Sequence, residues 1–296
     1  AADQKMLIVK ALKNKKQVVA VTGDGVNDAP ALKMADIGIA MGISGTDVAK
    51  QAADMILLDD NFASIVAAIE EGRAVYANIR KFLTYILTSN VPELVPYLAF
   101  ALFKIPLPLT IIQILAVDLG TDMLPALGLG ADNPESDIMT KPPRSSQERL
   151  LNWPLVLRAY LFLGLLEAAA AMTAYYFVLE QAGWIWGQAL DSHNPIYLQA
   201  TTACLTAIIL MQVMNVFICK NPNSGLLRIA AFANPLILSG VVLEIVLIML
   251  IVYTPWGNQL FGTAPIDGEV WWLILPCCLV MLLLETLRKY WAKNKH

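Results

Sequence analysis

The chain has 296 residues, 57% of them hydrophobic and 15% charged, with a mean hydropathy of +0.58. That balance excludes an ordinary soluble domain of this length and points to a membrane protein. The formal net charge of −3 carries no signal for nucleic acid, and no nucleic-acid partner is expected.

The opening segment, Ala1 to Gln17, is polar and carries Lys5, Lys10, Lys13, Lys15 and Lys16, so it lacks the apolar core of a signal peptide. The soluble part is expected to stay in the cytoplasm. Because the chain opens without Met in what reads as the middle of a helix, a fragment is expected. Three short runs follow, Gln17–Val21, Ile37–Met41 and Met55–Leu58, each succeeded by a turn and a helix-like segment. This is the β-α alternation of a parallel sheet.

Between the first two runs lies "VTGDGVNDAP", with Asp24 and Asp28 four residues apart, Gly23 and Gly25 beside them and Asn27 between. A strand end is where open parallel sheets bind ligands, and glycines there allow close backbone approach. Carboxylates suit Mg2+, a hard ion usually shared with substrate phosphate; Asn27 can donate to a phosphate oxygen and Lys5 can add positive charge. Asp28 is placed to cap a helix opening with Ala29 and Pro30. Asp-Gly alone would equally describe an ordinary solvated turn.

From Asp60 the pattern becomes helical. Residues 1–60 are read as a partial α/β domain, 61–78 as a linking helix and 79–296 as a six-helix membrane domain. The spans are expected at Ile79–Phe103, Leu109–Gly130, Leu155–Leu179, Tyr197–Ile218, Pro235–Tyr253 and Val270–Leu287, each near the length that crosses hydrocarbon. Lys141, Arg144 and Arg149 follow the second span, Lys220 and Arg228 the fourth, and Arg288, Lys289, Lys293 and Lys295 the sixth, against Lys104 alone on the other side. That asymmetry puts both termini in the cytoplasm, while Trp184, Trp186, Trp256, Trp271 and Trp272 mark the outer interface. Cys204, Cys219, Cys277 and Cys278 have no C-x-x-C spacing and read as small core residues. His193 and His296 are too far apart for a histidine-rich metal site.

The spans carry polar groups that hydrocarbon disfavours. In "TSNVPELVP", Pro92 and Pro96 strip hydrogen-bond partners from the carbonyls of Thr88 and Pro92 beside Glu93, leaving an oxygen-rich pocket. In "AVDLGTDMLP", Asp118 and Asp122 stand at i and i+4 on one face, with Gly120 and Pro125 available to loosen the helix. Intramembrane carboxylates cost on the order of 3 kcal/mol each and normally mark an ion path. Farther on the signal weakens: Gln212 and Asn215 share a face of the fourth span, where interhelical hydrogen bonding explains the amides about as well as ion binding, and Glu244 and Glu167 stand singly in the fifth and third spans. Glu285, with Arg288 three residues on, reads as an ordinary helix pair.

The string "TGDGVNDAPALKMADIGIAMG", followed by "DDNFASIVAAIEEGR" and "DIMTKPPR", resembles the rear of the haloacid-dehalogenase-like phosphorylation domain of the type II P-type cation-transporting ATPases and the membrane helices after it. The resemblance runs over nearly the whole chain. It implies that Asp24, with Asp28, serves Mg2+, that Asn27 and Asp28 position the phosphate, and that Lys5 contacts the transferred phosphoryl group. It also implies Asn90, Glu93, Asp118, Thr121 and Asp122 as ligands of the transported cation, with Gln212, Asn215 and Glu244 as weaker candidates. Calcium, or sodium and potassium, are the ions implied. Asp118, and the absence of a glutamate near Gln212 and Asn215, look more like the sodium/potassium pump, and Ser89 argues against the gastric proton/potassium pump, which has lysine there.

The family's "DKTGT" phosphorylation string and its "TGE" loop do not occur in these residues. The chain is therefore expected to be the C-terminal third of a plasma-membrane pump that works with Mg2+ and ATP, inactive by itself and partnered by the lipid bilayer and the missing N-terminal part. Two rivals remain: a non-enzymatic half-pump or cation-binding module, and a free-standing haloacid-dehalogenase-type phosphatase, which would need a nucleophilic D-x-D that is missing.

Overall fold

The computed structural model describes residues 2–145, 148–222 and 234–293. Arg228 and Lys295 of the charge pattern lie outside the described residues. Contacts divide the chain into two compact units, Ala1–Arg73 and Ala74–His296.

The first unit is a small α/β layer: α1 (Ala2–Asn14), β1 (Ala20–Gly23), α2 (Ala29–Met34), β2 (Ile37–Met41), α3 (Asp47–Ala52) and β3 (Met55–Leu57). Its strands are parallel in the order β1-β2-β3, with Val21 opposite Gly38 and Ala40 opposite Ile56. Val9, Val19 and Ala31 form one small core, and Leu32, Ala40 and Ala49 another. The first strand starts at Ala20 rather than Gln17. Lys16 takes a left-handed φ of 59° and the Gln17 amide turns back to the Leu12 carbonyl, so Gln17 and Val18 belong to the exit from α1. The polar loop therefore begins at the strand end itself.

The second unit is helical, and six helices of the chain are long and apolar enough to cross a membrane. The first span lies within a 41-residue helix, Ala63–Phe103, which passes Pro92 and Pro96 unbroken. The others are Ile111–Gly130, Trp153–Gln181, Pro195–Lys220, Pro235–Tyr253 and Gly268–Lys293. The third, fourth and fifth spans are opened by the side chains of Asn152, Asn194 and Asn234, each accepting from main-chain amides, with proline in the first turn.

Two stretches depart from α geometry. Ala116–Thr121 in the second span and Leu157–Leu163 in the third are π-helical. In the second span the Asp122 amide reaches back five residues to the Val117 carbonyl. Such wide turns are rare and concentrate at functional sites.

The fourth span is the central one, with 78% of its apolar window buried against 28–44% for the rest. Small residues let the third span approach it: Ala171 and Ala174 meet a face bearing Ala200, Ala203, Cys204 and Ala207, all fully buried. The second and fifth spans also approach closely, at glycines. A Cβ on Gly240 would lie 2.8 Å from the Pro125 ring, and one on Gly128 would lie 2.9 Å from the Ile237 nitrogen.

One end of this unit is held by buried charge. Asp132, just past the second span, accepts from Lys220 (2.9 Å) and Asn234 (3.0 Å) and faces Lys81 at 3.4 Å. Glu285 of the sixth span, fully buried, meets Arg158 of the third at 2.7 Å, Arg288 at 2.7 and 2.8 Å and Lys289 at 3.8 Å. The expected pair of Glu285 with Arg288 is thus half of a larger knot joining two spans.

Candidate functional site

In the first unit the polar loop folds around Asp28. After β1 the chain makes a short 3-10 turn, Val26–Asp28, that delivers Asp28 back beneath the strand end. Asp28 precedes α2 but does not cap it. Its Oδ2 accepts from the amides of Asp24 and Gly25, both at 3.2 Å, and its Oδ1 is in close contact with the Lys5 ammonium. The carboxylate is drawn toward the cation and two amides on the opposite side, leaving the helix start to proline geometry. The Lys5 hydrogen bond holds the Asp28 carboxyl below the usual carboxylate range, and the same contact raises Lys5.

Gly23 is required by space: a Cβ there would lie 2.5 Å from the Asp28 Cβ. Gly25 is not, since the nearest atom to a Cβ would be 3.8 Å away and φ is −100°. Asp24 and Asn27 are exposed beside the buried Asp28. The Asp24 carbonyl is clamped by the amide and hydroxyl of Thr46 at 2.8 and 3.2 Å. Thr46 was not legible as part of the site, because its contact crosses from the loop after β2. The loop thus presents one free carboxylate and one amide to solvent above a fixed carboxylate-ammonium pair.

In the second unit, five acids sit near the middle of their spans. Tyr85, Ser89 and Glu93 repeat every four residues and so share one face of the first span. Glu93 is buried, and its neighbours include Asp118, in side-chain hydrogen-bond contact, and Asp122. Asp122, 2% exposed, is approached by Ser89, Tyr85 and Thr121, with the Tyr85 hydroxyl 3.3 Å from Oδ1. The same hydroxyl lies 3.5 Å from Glu244 of the fifth span. Gln212 donates to Glu167 of the third span at 3.1 Å, and Asn215 donates to Gln212 at 3.3 Å.

The residues expected as cation ligands divide. Glu93, Thr121, Asp122, Gln212, Asn215 and Glu244 are buried. Asp118 is exposed on the outer side of the π turn yet still touches Glu93. Asn90 is exposed, one helical step away from the face carrying Tyr85, Ser89 and Glu93, and the structure does not bring it to this group. Ser89, noted in the sequence for a different reason, stands there instead.

Four carboxylate oxygens, Glu93 Oε1, Asp122 Oδ2, Glu167 Oε1 and Glu244 Oε2, are buried without a hydrogen-bond partner. Among the described residues none of these acids forms an ion pair, and no three acids converge tightly enough to cage a metal by themselves. Hydroxyl, amide and main-chain oxygens must complete any coordination. Burying so many unpaired carboxylates is costly, and a positively charged guest is what would offset it.

A small parallel α/β layer, and a bundle of six long apolar helices with buried acids at mid-span, define the class: multi-span membrane proteins that also carry an α/β unit. Residues 106–291 match the family model described as cation transporting ATPase, C-terminus, and the chain belongs to that family. Residues 5–69 match the haloacid dehalogenase-like hydrolase model. Similar proteins include the sodium/potassium-transporting ATPase subunit alpha of Hydra vulgaris, 42% identical over 97% of this chain. The subunit alpha of Drosophila melanogaster is 39% identical over 99%, and the subunit alpha-2 of Homo sapiens 39% identical over 97%. In each case the chain spans about 30% of the relative's length.

Proposed function

We propose that this chain is the ion-binding and C-terminal part of an ATP-driven cation pump that works through an aspartyl-phosphate. The observation that carries this reading is the set of buried, unpaired carboxylate oxygens shared by Glu93, Asp122, Glu167 and Glu244. Acids kept at mid-span without cationic partners are suited to a guest that arrives dehydrated and leaves again. Na+ and K+ are favoured over Ca2+ by the names of the relatives.

Asp24, exposed at the strand end, fits a Mg2+ ligand, since hard cations take carboxylate oxygens. Asp28 fits a positioning role better than direct ligation, because Lys5 and two amides already occupy its oxygens. Mg2+ bound there would neutralise phosphate charge. Lys5 and Asn27 would face the same phosphate, with the phosphorylated aspartate and the ATP-binding residues supplied from outside these 296 residues. The stretch 61–78, helical from Ala63, is the proposed link to the membrane domain.

In the pump containing this chain, Asp122→Asn should weaken the apparent affinity of cation-activated phosphorylation tenfold or more, about 1.4 kcal/mol. Phosphorylation by inorganic phosphate without cation should survive. Asp24→Asn should do the reverse, cutting phosphoenzyme formation while sparing cation binding. Identical behaviour of both variants would sink the division of labour, and the isolated chain forming an acid-stable phosphoenzyme would sink the expected lack of activity.

For orientation, we propose a plasma-membrane protein with both termini cytoplasmic. Single cysteines at Gly187 and Gly262 should label from outside and one at Ser145 from the cytoplasm; Asn223, a fourth test position, lies outside the described residues. Labelling of Ser145 and Gly187 from one side would refute the arrangement.

A further inference from the structure

The third span is almost wholly apolar around one acid: "LGLLEAAAAM" places Glu167 against a run of alanines. Its side chain is fully buried. One oxygen accepts from Gln212 Nε2 at 3.1 Å, and the other, Oε1, has no hydrogen-bond partner. Both Asp122 and Glu93 lie close enough to act on it electrostatically. If the span needed only an anchor for Gln212, a neutral amide would accept the same hydrogen bond without the cost of a buried charge.

We propose that Glu167 is a ligand of the transported cation, contributed by the third span, and that it helps set which ion the pocket selects. This rests on the cation-pump reading above. Glu167 Oε1 and Asp122 Oδ2 are the two unpartnered oxygens of their carboxylates. The Gln212 and Asn215 amide oxygens, each with a lone pair beyond the one engaged by Asn215 or Cys219, provide neutral oxygens beside them. Carboxylate and amide oxygens of this kind are what a hard cation takes in exchange for water. The weak legibility of Glu167 in sequence follows from its isolation: it has no second acid a helical turn away, and its neighbours come from other spans.

The test uses the pump containing this chain, with Na+, K+ and Ca2+ each titrated separately against phosphorylation. Glu167→Gln keeps the size and the hydrogen bond to Gln212 but removes the charge. It should raise the half-saturating cation concentration tenfold or more and alter the ranking of the three ions, with phosphorylation by inorganic phosphate retained. Glu167→Asp, which restores the charge one methylene back, should recover part of the affinity. Wild-type affinity and ion ranking in Glu167→Gln would overturn the proposal. Should Glu167→Gln lose the inorganic-phosphate reaction and with it evidence of folding, Glu167→Asp decides: an intermediate affinity supports the ligand role, and an unchanged one rejects it. Asp122→Asn runs in parallel. A shift there without one at Glu167 discards this inference alone, whereas no shift at either position discards the cation-site reading with it.

Discussion

The membrane unit buries two kinds of carboxylate. At one end, Asp132 and Glu285 are surrounded by Lys81, Lys220, Arg158, Arg288 and Lys289, at distances down to 2.7 Å. In the middle, Glu93, Asp122, Glu167 and Glu244 each keep a buried oxygen without a hydrogen-bond partner. The difference follows from where cations can go. Lysine and arginine stay near helix ends, where their heads reach water or headgroups, so an acid there finds a partner while one at mid-span does not. Paired acids hold helices together; the mid-span acids have no ion-pair partner among the described residues.

Replacing a partner at the end should therefore hurt folding, and neutralising an acid in the middle should not. Lys220→Ala leaves Asp132 only Asn234 and the longer 3.4 Å contact with Lys81, and should cost about 1.5 to 3 kcal/mol, the usual worth of a hydrogen bond to a charged group. Glu244→Gln should leave thermal unfolding in detergent unchanged or raise the midpoint. Equal losses in both variants would erase the distinction. A smaller effect is expected from pH. Burial works against ionisation of Asp132, yet Lys220, Asn234 and Lys81 together hold its carboxyl below the usual range. A lowered folded value means the stabilisation is present above the unfolded value, about 3.9, and is lost as pH falls through the folded one. Unfolding midpoints should thus be flat from neutrality to about pH 5 and decline below about pH 4, with Asp132→Asn showing less of that acid limb. The smallest effect sharpens the middle. Tyr85→Phe removes a hydroxyl shared between Asp122 and Glu244, and cation affinity should fall by about 1 kcal/mol, the worth of a typical hydrogen bond. Unchanged affinity would remove Tyr85 from the pocket.

Much of this was readable from residue order. Apolar run length anticipated six long apolar helices and placed the second to fifth within two residues at each end, because the thickness of hydrocarbon is a fixed ruler, whereas the first begins 16 residues earlier and the sixth ends six residues later, where polar sequence continues the helix. The β-α alternation and the acids of "GDGVND" were equally visible. What sequence could not show was partnership at a distance. Glu285 looked like a local pair with Arg288, but its contact with Arg158 spans 127 positions. Asp132 drew no notice, since its partners come from three other segments. Asp28 was expected to cap α2, a local rule, and was instead claimed by Lys5, 23 residues away. Motif position points to Asn90, whereas the periodicity of Tyr85 and Glu93 selects Ser89 as the residue facing Asp122.

The wide turn at Ala116–Thr121 acts as a frameshift in the second span. A π turn accommodates about one residue more than the α-helix around it, so residues on its two sides are indexed to different faces. Asp118 lies in the slack part, exposed but touching Glu93, and Asp122, whose amide makes the five-residue step back to Val117, closes the turn with its side chain buried. Deleting one residue there, Gly120 for instance, would let the turn close to α geometry while the flanking turns keep their facing. Every carboxylate would still be present, but the slack that lets Asp118 lean on Glu93 would be gone. One spare residue in this helix, as much as the identity of its carboxylates, decides which oxygens a bound cation would meet in the proposed site.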